Sequence, residues 1–203
     1  MSNSNIALLA VFLGFAFLCD CKPDPIEPSD CLIKNIKFQG EYLYTCYELE
    51  ANNKRKVYAN PASLNYMNSF DQIRWMLMPV ENMNNTFHII NARYGEHLCS
   101  SNGHLEIFNQ RRKVNTVRFT KDVMLLDKKC MWRLDALDKR IDGGGTDRYM
   151  IWNTYYKEPL YAASSLLKTV KARRNVFTWH SKPDSKQFIW HVFCFSDDMM
   201  AKI

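Results

Sequence analysis

The sequence is poor in residues that break or loosen a chain. Seven glycines and seven prolines among 203 residues exclude collagen-like and low-complexity architectures. A sustained helical period is missing, and Leu166 to Ala172 offers one turn at most. After residue 18 no apolar run approaches the roughly 20 residues of a bilayer crossing, which leaves no segment for stable membrane insertion. The signatures of catalysis are missing too: no Gly-x-Ser-x-Gly elbow, no His-Glu-x-x-His and no Cys–His pattern. No enzymatic activity and no cofactor are expected. Basic–aromatic recognition motifs for nucleic acid are also lacking.

What is present belongs to a secreted protein with a core. Aromatic residues make up 13% of the chain, against disorder, and the formal charge is +6, compatible with an anionic partner. The apolar run Ile6–Leu18, at the extreme N-terminus and followed by polar, proline-containing chain, reads as a secretory signal peptide over residues 1–19. Residues 20–30 read as an extended leader, residues 31–195 as one folded domain and 196–203 as a tail. In an oxidising compartment most of the seven cysteines should pair. Asn84-Asn85-Thr86 is the one glycosylation sequon, making Asn84 the acceptor.

Within the domain one pattern recurs three times. Strands centred on Trp75, Trp132 and Trp190 lie 57 and 58 residues apart. Each is preceded by Glu-x-Leu (Glu41/Leu43, Glu96/Leu98, Glu158/Leu160) and then by a basic run before a valine: Lys54-Arg55-Lys56-Val57, Arg111-Arg112-Lys113-Val114 and Arg173-Arg174-Asn175-Val176, with Lys171 nearby. Glu-to-Val spacings are 16, 18 and 18, and Val-to-Trp spacings are 18, 18 and 14. Periods of this size mean repeat architecture. The segments between Gly, Pro, Asn and Asp are short, alternating and rich in aromatic and β-branched residues, hence strands. The first is expected at Ile36–Gln39. Three repeats of four strands predict an all-β closed structure that resembles the β-trefoil.

In that fold the first and last strands are antiparallel neighbours, which brings Cys31 and Cys194 together. Cys99 and Cys130, within the second repeat, form a second expected pair. The tryptophans are expected in the core. The ricin-type lectins resemble this architecture, but their Gln-x-Trp motif is absent: Ile73, Cys130 and Phe188 stand two before tryptophan, and Gln72 and Gln187 stand three before it. The wording of the third repeat (Glu-x-Leu-Tyr-Ala-Ala, then Arg-Arg-Asn-Val-Phe-Thr-Trp) resembles small secreted arthropod proteins.

Two readings of the basic runs stay open. They could pair with Glu41, Glu96 and Glu158 across each hairpin, or bind a sulfated glycan or other polyanion, as fibroblast-growth-factor trefoils use basic surface for heparin. Trp152 and Trp179, which the other repeats lack, are additional ligand candidates. His97, Cys99 and His104 are close in sequence, but with Cys99 expected in a disulfide no metal site is expected. A monomeric, extracellular, non-catalytic protein that binds a glycan is the leading expectation. A protein-binding trefoil is the alternative, either a cytokine-like ligand or a Kunitz-type protease inhibitor using Lys168 or Lys139-Arg140.

Overall fold

The computed structural model describes residues 29–50, 53–61, 70–106, 111–119, 127–137, 147–168, 172–180 and 185–195. The signal segment, the leader up to residue 28 (with Cys19 and Cys21), Lys139-Arg140, Lys171 and the tail lie outside these residues.

The described residues form twelve strands: β1 Ser29–Asn35, β2 Glu41–Glu50, β3 Lys54–Pro61, β4 Arg74–Pro79, β5 Thr86–Asn91, β6 Glu96–Glu106, β7 Arg111–Val117, β8 Met131–Ala136, β9 Arg148–Asn153, β10 Glu158–Leu166, β11 Arg174–Trp179 and β12 Ile189–Cys194. The expected first strand was misplaced. Ile36–Gln39 is a bend leading into Gly40, whose φ of +80° turns the chain, and β1 lies before it. Ser29 and Asp30, expected in the leader, pair with Leu77 and Met76 in the sheet. Leu166, where a single helical turn could have begun, ends β10, and residues 169–171 of that stretch lie outside the described residues.

Six strands close a barrel through β1–β4, β4–β5, β5–β8, β8–β9, β9–β12 and β12–β1, all antiparallel. The other six form three hairpins, β2–β3, β6–β7 and β10–β11. The second strands of these hairpins pair with one another around a triangle, β3–β7, β7–β11 and β11–β3, and cap one end of the barrel. Closure leaves no long unpaired edge.

Alternation fills the interior. Trp75 and Leu77, Trp132 and Leu134, and Trp190 and Val192 point inward from equivalent strands, and all three indoles are fully buried. Each indole N–H reaches the carbonyl of the Glu-x-Leu leucine of its own repeat: Trp75 to Leu43 at 2.9 Å, Trp132 to Leu98 at 2.7 Å, Trp190 to Leu160 at 3.0 Å. Two of the three sequence landmarks are thus one hydrogen bond, which ties barrel to cap. A buried Trp needs such a partner for its donor.

A fourth landmark is asparagine. Asn35, Asn91 and Asn153 end the first strand of each repeat, fully buried. Their amides donate to the 3-10 turn before the Trp strand: Asn35 to Gln187 O at 3.0 Å, Asn91 to Gln72 O at 3.0 Å, Asn153 to Lys129 O at 2.8 Å.

Two disulfides are present among the described residues. Cys31–Cys194 joins directly opposed residues of β1 and β12 across a separation of 163 residues, and Cys99–Cys130 spans 31. On the chain-entropy account they contribute about 5 and about 4 kcal/mol. Cys46 is buried and unpaired among the described residues.

Candidate functional site

The three residues before each valine do three different jobs. The middle arginine is a clamp between repeats. Arg55 Nε donates to Glu96 at 3.1 Å, Arg112 Nε to Glu158 at 3.0 Å, and Arg174 Nε to both oxygens of Glu41 at 2.9 Å. Each arginine also stacks on a ring from the repeat that supplies the carboxylate, Tyr94, Tyr156 or Phe38, at 3.8–3.9 Å. Each further donates to a carbonyl of its own hairpin: Tyr47, Asn102 or Ser164. The pairing partner differs from the expectation. Glutamate and arginine do not meet across one hairpin; each pair joins neighbouring repeats, because closing the cap sets β3 beside β7, β7 beside β11 and β11 beside β3. These pairs are also buried, with glutamate side chains 3–8% exposed. Arg55, Arg112 and Arg174 are therefore structural and unavailable to a ligand.

One clamp is weaker. Thr116 and Thr178 donate a hydroxyl to the second oxygen of Glu96 and Glu158, at 2.6 and 2.7 Å. Opposite Leu43 the equivalent residue is Ala59, so Glu41 lacks that donor. Burial raises the Glu41 carboxyl above its ordinary value, with Arg174 opposing.

The first position packs on aromatic rings. The Arg111 guanidinium lies 4.5 Å from the Trp179 ring and 5.6 Å from Tyr161. Arg173 lies 5.4 Å from Tyr44 and 5.7 Å from Tyr58. Lys54 has no ion-pair partner among the described residues. Behind these rings sit the glutamines. Gln72 Nε2 donates to the Tyr44 and Tyr94 hydroxyls, and Gln187 Nε2 to the Tyr161 hydroxyl at 2.7 Å and Ala162 O at 2.9 Å. They brace the fold. In the second repeat the Cys99–Cys130 bridge replaces the contact that Tyr161 makes with Phe188 in the third.

The third position faces the axis. Lys56, Lys113 and Asn175, with Val57, Val114 and Val176 and with Tyr58, Asn115 and Phe177, line a cavity of about 370 Å³ at the centre of the β3–β7–β11 triangle; Leu167 completes the wall. Lys56 is held by Glu50 at 3.1 Å. Lys113 is exposed and has no ion-pair partner among the described residues, and neither the Asn115 nor the Asn175 amide has a hydrogen-bond partner among them. Two lysines, two asparagines and apolar side chains lining one cavity suit an anion.

The two unshared tryptophans do not join it. Trp179 is stacked between Arg111 and Phe188. Trp152 lies on the barrel wall beside Arg133, over a cleft of about 190 Å³ that also holds Met83, Thr86 and Lys157. Asn84 is exposed in the β4–β5 turn, and its carbonyl accepts from the Thr86 hydroxyl at 3.1 Å. Lys168, offered for an inhibitory loop, is exposed just after β10. His97 is buried edge-to-face against His88 at 5.3 Å, and Cys99 is in a disulfide. Among the described residues no group of three metal-ligating side chains converges.

Searches by sequence find no matching family profile and no matching curated protein. Solved structures do match. The SDF2-like protein from Arabidopsis thaliana aligns at 13% identity and a TM-score of 0.62, over 81% of this chain and 92% of that one. A salivary protein of the Cysteine and Tryptophan-Rich family from Culex quiquefasciatus aligns at 17% identity and a TM-score of 0.53, over 82% and 94%. A lectin from Polyporus squamosus, solved with a sialylated epitope bound, aligns at 13% and 0.56, over 81% of this chain and 48% of that one. The chain is a β-trefoil. At these identities the likeness carries the fold alone, so ligand chemistry in this trefoil has to be argued from its own residues.

Proposed function

We propose that this protein is an extracellular, non-catalytic binding protein for anionic glycans, sulfated ones above all. One observation carries the reading: the axial cavity of the cap, where Lys113 and two asparagine amides have no partner among the described residues and stand beside Lys56. The net charge of +6 favours an anionic ligand. Two disulfides suit an oxidising, extracellular compartment. Trefoil lectins among the structural neighbours make glycan recognition a natural use of the scaffold. The test is retention on immobilised heparin. Elution above about 0.15 M salt, where exposed charges more than about 8 Å apart are screened, supports the reading. Passage without retention at lower salt, with the protein shown to be folded, refutes it.

A further inference from the structure

Resting on that reading, we infer that the axial cavity is a single receptor for a tetrahedral monoester: one sulfate or phosphate group carried on a sugar ring, its ester bond along the pseudo-three-fold axis. Counted along the sequence, the basic runs suggest three equivalent sites. The structure brings their last residues to one place. Lys56 stands opposite Asn115, Lys113 opposite Phe177 and Asn175 opposite Tyr58 in the three strand pairings of the cap. Lys56, Lys113 and Asn175, which all line the cavity, thus stand on three strands around one centre.

A monoester presents three terminal oxygens with the same symmetry, one for each donor. A carboxylate presents two oxygens in a plane and leaves a corner of the triangle unmet. Hydrogen bonds from ammonium to such an oxygen are charge-assisted and strong. Asn115 adds an amide.

The wall departs from three-fold symmetry. Phe177, Tyr58 and Leu167 make one side apolar, while Lys113 and Asn115 make the other polar. A sugar ring has an apolar face to lay on the first side, which sets a sulfated sugar above a free anion. Glu50 opposes binding: it holds the Lys56 ammonium in position but adds a negative charge at the rim.

Titration calorimetry on the intact, oxidised protein tests this with glucosamine-6-sulfate, glucose-6-phosphate, inorganic sulfate and unsulfated N-acetylglucosamine. One equivalent of a charged sugar is expected to bind. Lys56→Ala and Lys113→Ala should each weaken it about tenfold, the loss of one charge-assisted hydrogen bond. Glu50→Gln should tighten it, and Arg133→Ala on the barrel wall should leave it unchanged. The relative affinity of the two charged sugars assigns the source, sulfated or phosphorylated. Inorganic sulfate binding as tightly as the sugar ester overturns the ring contact, and three equivalents overturn the single site. Retention on heparin with monoester affinity unmoved in a Lys56→Ala/Lys113→Ala protein overturns the axial site while sparing the glycan-binding reading. Failure of every anion, heparin included, overturns that reading first.

Discussion

Replacing Arg174 with alanine tests whether the repeats are locked by buried pairs or merely decorated with them. The substitution removes the guanidinium from both oxygens of Glu41, from the face of Phe38 and from Ser164 O. It strands a carboxylate that is 6% exposed and, with Ala59 opposite Leu43, has no hydroxyl to replace the lost donor. Removing one partner of a buried pair costs about 3–5 kcal/mol, against about 0–1 kcal/mol for an exposed pair. The lost stacking accounts for about 1 kcal/mol of that. Acid separates the two contributions. Burial already raises the Glu41 carboxyl above its unfolded value near 4.5, and loss of Arg174 raises it further. A carboxyl raised by folding binds its proton more tightly folded than unfolded. Its contribution is therefore most favourable below the unfolded value and declines as pH rises through the window up to the folded one. The window is wider in the variant, so its deficit should grow between about pH 4 and pH 7. Urea unfolding of the wild type, Glu41→Gln, Arg174→Ala and the double variant at both pH values measures this. A coupling energy above about 2 kcal/mol at neutral pH, shrinking in acid, is expected. Coupling below about 1 kcal/mol, constant with pH, would refute the clamp.

Three further perturbations follow from the same contacts. Ala59→Thr should give Glu41 the hydroxyl donor that Glu96 and Glu158 have, stabilising the protein by about 1 kcal/mol in the same melts; a loss would show that the first repeat is packed too tightly to copy the others. His97 is held down to about 4 by burial, with His88 adding to the effect, so unfolding takes up a proton. Its contribution is fully present above the ordinary value near 6.5 and is lost as pH falls towards 4, about 3 kcal/mol in all; His97→Phe should flatten that slope, and an unchanged slope would assign it elsewhere. Trp132→Phe should cost about 1–3 kcal/mol by leaving Leu98 O without its donor, and a cost near zero would mean that indole shape alone matters.

The fold was legible because its landmarks are chemically unusual and recur. Tryptophan, Glu-x-Leu and the basic run each mark a position that needs one residue type. Asparagine is as regular, at Asn35, Asn91 and Asn153, but it reads as an ordinary turn residue until its amide is seen satisfying buried carbonyls. The spacing from Asn91 and Asn153 to the following glutamate, five residues in each case, was the available signal. The partner of each glutamate was not legible. Sequence proximity favours the hairpin's own arginine, and only closure of the cap shows that the neighbouring repeat supplies it. Likewise Lys56, Arg55 and Lys54 look interchangeable along the chain. Alternation sends Arg55 into the clamp and turns Lys54 and Lys56 to the opposite face, where Lys56 lines the axial cavity.

That division bears on where a three-fold scaffold can hold a ligand. Positions that must hold the repeats together cannot drift without breaking a clamp: Glu41, Glu96 and Glu158 with their arginines, and the three indoles. Symmetry is kept there. It is broken where the framework does not require it: Asn175 in place of a third lysine, and Tyr58, Asn115 and Phe177 at one equivalent position. Three lysines around one axis would lie close enough to repel one another, and the amide at the third corner relieves that repulsion while keeping a donor. A perfectly symmetric cap would offer a ligand no preferred orientation about the axis. The unequal wall supplies one, so the same substitutions that reduce the repeat signal in the sequence are those that give a bound sugar a defined pose.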